Sequence, residues 1–150
     1  MNQQRRDVMK YTAVFGLMAS AGLITPAQAE EWNKAAFEGK SLDEVFKALG
    51  SGTPEKSSAV VMNAPDIAEN GAVVPVGIST NLKAQQMAIL VEKNPNTLAA
   101  QFFFPAGTEP FVTTRIKMAQ TSNVYALVKA DGKWTMAVKE IKVTLGGCGG

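Results

Sequence analysis

The first recurrence of apolar residues in the chain lies between positions 41 and 50 and has helical spacing. Ser41 stands three residues before Glu44, which is the spacing of a capping box at a helix start. Gly50 follows the last apolar position and is typical of a helix end. The pattern predicts a short amphipathic helix that covers one end of the core with four apolar residues: Leu42, Val45, Phe46 and Leu49.

From residue 57 onward the pattern changes to short apolar runs, separated by turn signals such as Asp131-Gly132, which favours a tight hairpin. About seven such runs predict an all-β chain folded as a β-sandwich. Pro75 lies inside the second run, which we therefore expect to be an edge strand. The runs are Ala59–Met62, Ala72–Ser79, Gln86–Glu92, Leu98–Phe104, Phe111–Met118, Asn123–Lys129 and Trp134–Leu145.

Composition is consistent with one globular domain. The chain has 150 residues, of which 46% are hydrophobic and 19% are charged, values that indicate neither disorder nor a polytopic membrane protein. Its formal net charge is +2, from 15 basic and 13 acidic residues. Three of those basic residues and one acidic residue precede position 30, so twelve of each remain beyond it. A neutral domain carries no electrostatic footprint for nucleic acid, and we expect no nucleic-acid partner.

The N-terminus has the features of an export signal. Arg5 and Arg6 precede an apolar run over residues 11–25, and residues 26–29 read Pro-Ala-Gln-Ala, with the A-x-A pattern of a cleavage site. The paired arginines, followed by Val8-Met9-Lys10, resemble a twin-arginine signal. The run is shorter than the roughly 20 residues of a membrane-spanning helix. We predict a signal peptide over 1–29, a periplasmic location, and no membrane association after cleavage.

The residues available for chemistry are few. The chain contains no histidine and one cysteine, Cys148. These counts exclude histidine-based triads, histidine metal ligands and an intramolecular disulfide. We therefore expect no catalytic residue, no metal site and no cofactor of its own, so that the protein is not an enzyme.

The tail holds that cysteine between four glycines. The residues around Cys148 are Gly146, Gly147, Gly149 and Gly150. Glycine resists ordering and adds no side-chain bulk, so we expect a flexible arm over 146–150, beyond a domain spanning 30–145. Three extended residues after Leu145 reach roughly 10 Å, far enough to bring the thiol into a narrow channel of another protein. These features indicate a covalent carrier whose chemistry is performed by its partners.

Other interpretations of the tail remain. In one of them, the protein is an exported interaction module of immunoglobulin-like type that uses Cys148 for an intermolecular disulfide. A thiol-dependent redox enzyme would need a second cysteine or a histidine base, which the chain lacks. Prenylation requires a cysteine fourth from the end, whereas Cys148 is third. A terminal thiocarboxylate, as in ubiquitin-like sulfur carriers, requires activation by ATP in the cytoplasm.

The chain resembles the SoxY family of the bacterial sulfur-oxidising multienzyme system. Four features carry the resemblance, which extends over essentially the whole chain after the signal. They are the paired arginines, the strand-rich middle, residues 110–120 (PFVTTRIKMAQ) and the Gly-Gly-Cys-Gly-Gly end. The resemblance implies an immunoglobulin-like β-sandwich that carries thiosulfate-derived sulfur on Cys148, the position matching the family's substrate-carrying cysteine.

The resemblance also implies partners. A SoxZ-like subunit forms a heterodimer or larger complex with SoxY, and a c-type cytochrome enzyme joins thiosulfate oxidatively to the thiol. A dimanganese hydrolase then releases sulfate, and a sulfane dehydrogenase oxidises the remaining sulfur. A subunit interface favours apolar and aromatic side chains, so we expect the Phe102–Phe104 and Phe111 segments to face the partner subunit.

Overall fold

A computed structural model of the protein describes residues 33–144, which belong to one compact unit. Two short helices precede nine strands within these residues. The helices are α1 (Lys34–Glu38) and α2 (Leu42–Leu49). The strands are β1 (Glu55–Lys56), β2 (Val60–Asn63), β3 (Ile67–Ala68), β4 (Val74–Thr80), β5 (Ala84–Val91), β6 (Leu98–Phe103), β7 (Phe111–Ile116), β8 (Ser122–Ala130) and β9 (Lys133–Val143).

The predicted helix is confirmed as α2. The Ser41 hydroxyl accepts a hydrogen bond from the Glu44 N–H at 3.3 Å, and the Glu44 carboxylate accepts one from the Lys40 N–H at 2.7 Å. Gly50 ends the helix in the left-handed region with φ 65°, a conformation that costs glycine little. Residues next to the helix therefore determine both of its ends: Ser41 and Glu44 at the start, and Gly50 at the end.

All seven predicted strands are present, with ends that differ by a few residues. The hairpin between β8 and β9 turns at Asp131 and Gly132, whose φ values of 49° and 74° are both positive, as a type I′ turn requires. Helix α1 and the two-residue strands β1 and β3 were not predicted. Their apolar periodicity is too short to detect, and β1 and β3 exist only because they pair in parallel with the distant β9.

The strands form two sheets. The large sheet has the order β1-β9-β8-β5-β6, with β3 also paired to β9, and the small sheet has the order β2-β4-β7. Strand β2 packs against β8 and β9, which brings the two sheets face to face. The all-β sandwich expected from the sequence is confirmed.

The large sheet is buried on both faces. On β5, Met87, Ile89 and Val91 point into the cluster shared with the small sheet, whereas Ala88 and Leu90 point into a second cluster beneath the helices. The continuous apolar run of β5 is thus explained by burial on both sides. Each fully buried aliphatic side chain contributes about 1.5–3 kcal/mol.

The prediction that the proline-containing strand lies at an edge is wrong, because β4 is the central strand of the small sheet. The pairing of β2 with β4 ends at Asn63 and Gly77. Continuing that register would place Pro65 opposite Pro75, and neither proline has an N–H to donate. Pro75 is tolerated because the strand has a hydrogen-bonded neighbour only on its β7 side at that position.

We predict that Phe46→Ala destabilises the protein by about 3–5 kcal/mol, because Phe46 is 6% exposed and fills the cluster between α2 and the large sheet. Equilibrium unfolding in urea measures the change. Phe103→Ala is the matched control, since Phe103 is 41% exposed and its loss should change stability much less. Equal losses in the two variants would show that the helical layer is not part of the cooperative core.

Candidate functional site

The predicted site residues lie outside the described part of the chain. These are Cys148 with its four glycines (Gly146, Gly147, Gly149 and Gly150), and Arg5 and Arg6 of the signal. The proposed segments 1–29 and 146–150 likewise lie outside it. The structure does describe the base from which the tail continues, because β9 ends at Val143 and Thr144 follows it.

The end of β9 is held by three hydrogen bonds from two sides. The Lys142 N–H donates to the Asp66 carbonyl at 2.9 Å, and the Thr144 N–H donates to the Ala68 carbonyl at 3.1 Å. On another side, the Val143 N–H donates to the Thr121 hydroxyl at 3.0 Å. The backbone is therefore fixed up to the last described residue.

The length of chain beyond this base limits where the thiol can lie. Cys148 is the fourth residue after Thr144, so the cysteine Cα lies at most about 14 Å from the Thr144 Cα. Because Thr144 is fixed on the domain, any contact of Cys148 with another protein takes place within this distance of Thr144.

Two acidic residues in the loops beside this base, Asp66 and Glu69, contribute to the scaffold. Asp66 forms an ion pair with Lys139 at 2.9 Å, although its side chain is 88% exposed. The Lys139 ammonium also donates to the Ala64 carbonyl. Glu69 contributes its backbone carbonyl, which accepts from the Thr144 hydroxyl at 3.5 Å. The structure therefore uses both residues as loop elements beside β9.

Tyr125 has a shifted pKa. Partial burial raises the pKa of its phenol above the usual value, and the negative charge of Glu92 raises it further, with the Glu92 carboxylate 3.4 Å from the hydroxyl. The phenol therefore stays protonated at neutral pH and is not a base. Within residues 33–144, no group of three or more acidic, cysteine or histidine side chains is placed to hold a metal ion.

The outer face of the small sheet carries a groove of about 640 Å³ that sequence analysis missed. Val61, Pro75 and Phe111 supply apolar lining, and the buried Gly77 forms part of its floor. The groove draws its residues from three strands far apart in the sequence. Its existence depends on their register, which no local pattern reveals.

The aromatic segments are divided by the fold. Phe102 and Phe104 are half-buried and pack against the inter-sheet core, which leaves only part of each side chain for a partner surface. Phe103 and Phe111 are 41% and 57% exposed, respectively, and stay available for contact. Alternation along β6 explains the difference, because neighbouring side chains point to opposite faces of a sheet.

Comparisons with known proteins identify the fold and the family. Residues 46–148 match the family described as "Sulfur oxidation protein SoxY". The sulfur carrier protein SoxY from Chlorobium limicola f thiosulfatophilum is 38% identical, with a TM-score of 0.61, over 69% of this chain and 94% of that one. A search of curated protein sequences found no match.

Two solved variants of superoxide reductase (neelaredoxin) from Ignicoccus hospitalis share the fold. Their TM-scores are 0.52 and 0.51 at 19% and 20% identity, over 57% and 65% of this chain and 80% and 87% of theirs. Such identities bear on the fold alone.

The architecture and these likenesses define an immunoglobulin-like β-sandwich of the sulfur-carrier class. The family match covers more than half of the chain, and the chain belongs to the SoxY family, whose role is in sulfur oxidation. Within the described residues, no helix is long and apolar enough to cross a membrane.

We predict that Thr121→Ala loosens the base of the tail, because the Val143 N–H loses its acceptor. This hydrogen bond is half-buried, so its loss should cost about 1 kcal/mol. Amide hydrogen exchange at Val143 and Thr144 should accelerate, while exchange at the centre of β9 is unchanged. Thr108→Ala, at an exposed position in the loop before β7, serves as the control. Unchanged exchange at Val143 in Thr121→Ala would show that this hydrogen bond does not hold the strand end.

Proposed function

We propose that the protein carries thiosulfate-derived sulfur covalently on Cys148 and presents it to the enzymes of a sulfur-oxidation cycle. The observation that supports this proposal best is the placement of the cysteine. In a chain of the SoxY family, the only cysteine lies five residues beyond the end of β9, which is held by hydrogen bonds. A fixed base with a glycine-rich extension suits presentation of a cargo to several different sites.

The chemistry of such a cycle belongs to the partner proteins. Oxidative attachment joins the cysteine sulfur to the outer sulfur of thiosulfate and releases one proton and two electrons, which a c-type cytochrome enzyme accepts. Hydrolysis by a dimanganese enzyme then consumes water and releases sulfate, leaving a persulfide on Cys148. A sulfane dehydrogenase oxidises that remaining sulfur. The carrier itself supplies the thiol, and the partner proteins supply the catalytic residues.

The thiol needs activation from outside the chain. A free cysteine has a pKa of about 8.5, so only a small part is thiolate at neutral pH. The four flanking glycines bring no cation to lower that pKa. We propose that a partner's site supplies the charge that forms the thiolate, which restricts reaction to the docked state.

The proposed setting is the periplasm, reached through the twin-arginine route after folding. A SoxZ-like subunit is the proposed constant partner. The exposed Phe103 at the end of β6 is a candidate contact for that subunit, since large aromatic side chains are enriched in interfaces.

The carrier role predicts sulfur adducts on Cys148 during growth on thiosulfate. Intact mass measurement of the protein from such cells, before and after reduction, should show sulfur with or without sulfonate oxygens that a reductant removes. Cys148→Ser should lose these adducts and abolish thiosulfate-dependent sulfate formation, while its circular dichroism and thermal midpoint stay unchanged.

The control for this experiment is Thr144→Ser, which keeps the hydroxyl at the base and leaves the thiol in place. Sulfate formation by Cys148→Ser with all partners present would contradict the carrier role. A disulfide-linked homodimer as the only modified form in actively oxidising cells would favour the interaction-module alternative.

The proposed export route predicts that replacing both signal arginines, Arg5→Lys with Arg6→Lys, retains the protein inside the cytoplasm. The twin-arginine machinery reads the guanidinium pair, which lysine does not reproduce. Cell fractionation with immunoblotting measures the distribution. Gln3→Ala is the control and should leave export intact. Continued export of the double-lysine variant would assign the signal to a different route.

A further inference from the structure

The turn between β3 and β4 lies beside the base of the tail and contains Asn70 followed by Gly71. Just before this pair, the Glu69 carbonyl accepts from the Thr144 hydroxyl at 3.5 Å. The Gly71 carbonyl accepts from the Met118 N–H at 2.7 Å. Asn70 is the only asparagine of the sequence that precedes a glycine. The one Asn-Gly dipeptide of the chain is therefore built into the segment that holds the end of β9.

The side chain of Asn70 is folded back along the main chain. Its Oδ1 accepts a hydrogen bond from the Ala72 N–H at 2.9 Å, which is the contact of an Asx turn. This hydrogen bond spans the peptide that joins Asn70 to Gly71. The Cγ of Asn70 is thereby held beside the backbone nitrogen of Gly71.

The groups that would react at this turn are not engaged elsewhere. No hydrogen bond within residues 33–144 uses the Gly71 N–H, and residue 71 has no Cβ to shield its nitrogen. The Asn70 side chain is exposed, and its Nδ2 donates to none of the described residues. A nucleophile, an acyl carbon and a leaving group in water thus meet without any movement of the neighbouring strands.

We propose that Asn70 is a site of spontaneous deamidation in the folded protein. The Gly71 nitrogen gives its proton to a solvent base and attacks the Asn70 Cγ. The N–Cγ bond forms, the Cγ–Nδ2 bond breaks, and ammonia leaves a succinimide. Water then opens the ring, at Cγ to give aspartate or at the Asn70 backbone carbonyl to give isoaspartate. The net reaction consumes one water and releases one ammonia, with no oxidant and no cofactor.

The isoaspartate product changes the main chain, which becomes one methylene longer between Glu69 and Gly71. Gly71 cannot take up this length, because a Cβ there would lie 2.5 Å from the Met118 carbonyl oxygen and 3.0 Å from the Val143 side chain. The shift must fall on the other side of the turn. There, the Ala68 carbonyl accepts from the Thr144 N–H at 3.1 Å. We therefore expect isoaspartate at position 70 to loosen the base of the tail.

Two other asparagines differ from Asn70 in the contacts that matter, and they serve as controls within the same molecule. Asn96 precedes Thr97, whose N–H already donates to the Gly39 carbonyl at 3.0 Å. The Nδ2 of Asn123 donates to the Glu92 carboxylate at 2.9 Å. Neither site combines a free backbone nitrogen with a free leaving group, so both should keep their amides.

The modification does not depend on the carrier role, because it uses no residue of the tail. Its failure would leave the proposed function untouched. It is tested in the full-length chain carrying Cys148→Ser, in which no thiol chemistry can alter the masses.

The first measurement follows the folded protein during prolonged incubation in mildly alkaline buffer. Peptide mapping by mass spectrometry should show loss of the amide at Asn70, with Asn96 and Asn123 unchanged. Labelling by protein isoaspartate methyltransferase should reveal the isoaspartate product. The rate should lie within about tenfold of that in a synthetic peptide spanning residues 66–75, because no opening of the loop is needed first.

Asn70→Ser is the matched control for the chemistry. Its hydroxyl still offers an oxygen to the Ala72 N–H, but it has no amide, so it should take up no methyl label at this position. An Asn70 amide that persists in the folded chain while the peptide reacts overturns the proposal. Equal loss of amide at Asn96 and Asn123 also overturns it, since the turn would then confer no selectivity.

The second measurement is amide hydrogen exchange after incubation. Exchange at Thr144 should be at least about tenfold faster in the isoaspartate form, because the hydrogen bond to Ala68 is weakened, while exchange at the start of β9 stays unchanged. Fresh Asn70→Asp carries the same added charge on an unaltered main chain and should exchange like the parent. Unchanged exchange at Thr144 in the isoaspartate form would overturn the proposed effect on the tail.

Discussion

Burial of the large sheet on both faces is the constraint on which the rest of this structure depends. Its central strands β5 and β8 have apolar side chains in both directions, so neither face can be left to water. The small sheet covers one face, and the two short helices cover the other. Without the helices, Leu90, Leu127 and Trp134 would be exposed, at a cost of a few kcal/mol for each side chain. A domain of this size has little stability to spare.

The same arrangement determines where the tail begins. Strand β9 lies beside β8 and would otherwise have a free edge on its other side. Two short parallel strands cover that edge at its two ends, β1 near Thr135 and β3 near Lys142. Between them, Lys139 bonds to the segment before β3. The strand is thereby held along its length, and the route to Cys148 starts from a fixed point.

This division between a rigid domain and a bare thiol is consistent with membership of the SoxY family. The described residues provide packing, a fixed strand end and exposed surfaces. A carrier that visits several enzymes benefits from this separation, because each enzyme can supply its own charge and shape to one small cargo group. The edge strands differ in how accessible their backbone groups are to another strand. The edge of β9 is covered, the edge of β6 is interrupted by a bulge, and no strand within residues 33–144 pairs with the outer edge of β7.

The sequence by itself determined the helix α2, most of the strands, the turn between β8 and β9, and the position of the candidate site. The capping residues around α2, the seven apolar runs and the Asp131-Gly132 turn act within a few residues of one another, so their outcome could be predicted. The glycines around Cys148 indicated the candidate site before any fold was known. Tertiary structure alone decided the rest. Pro75 lies in a central strand because β2 ends before reaching it, and Phe102 is packed while Phe103 is exposed because β6 joins β5 in one particular register. Strands β1 and β3 and the groove beside Gly77 depend on residues that are distant in the chain. Pairing between such residues is selected by the burial of the whole core, which no local pattern contains.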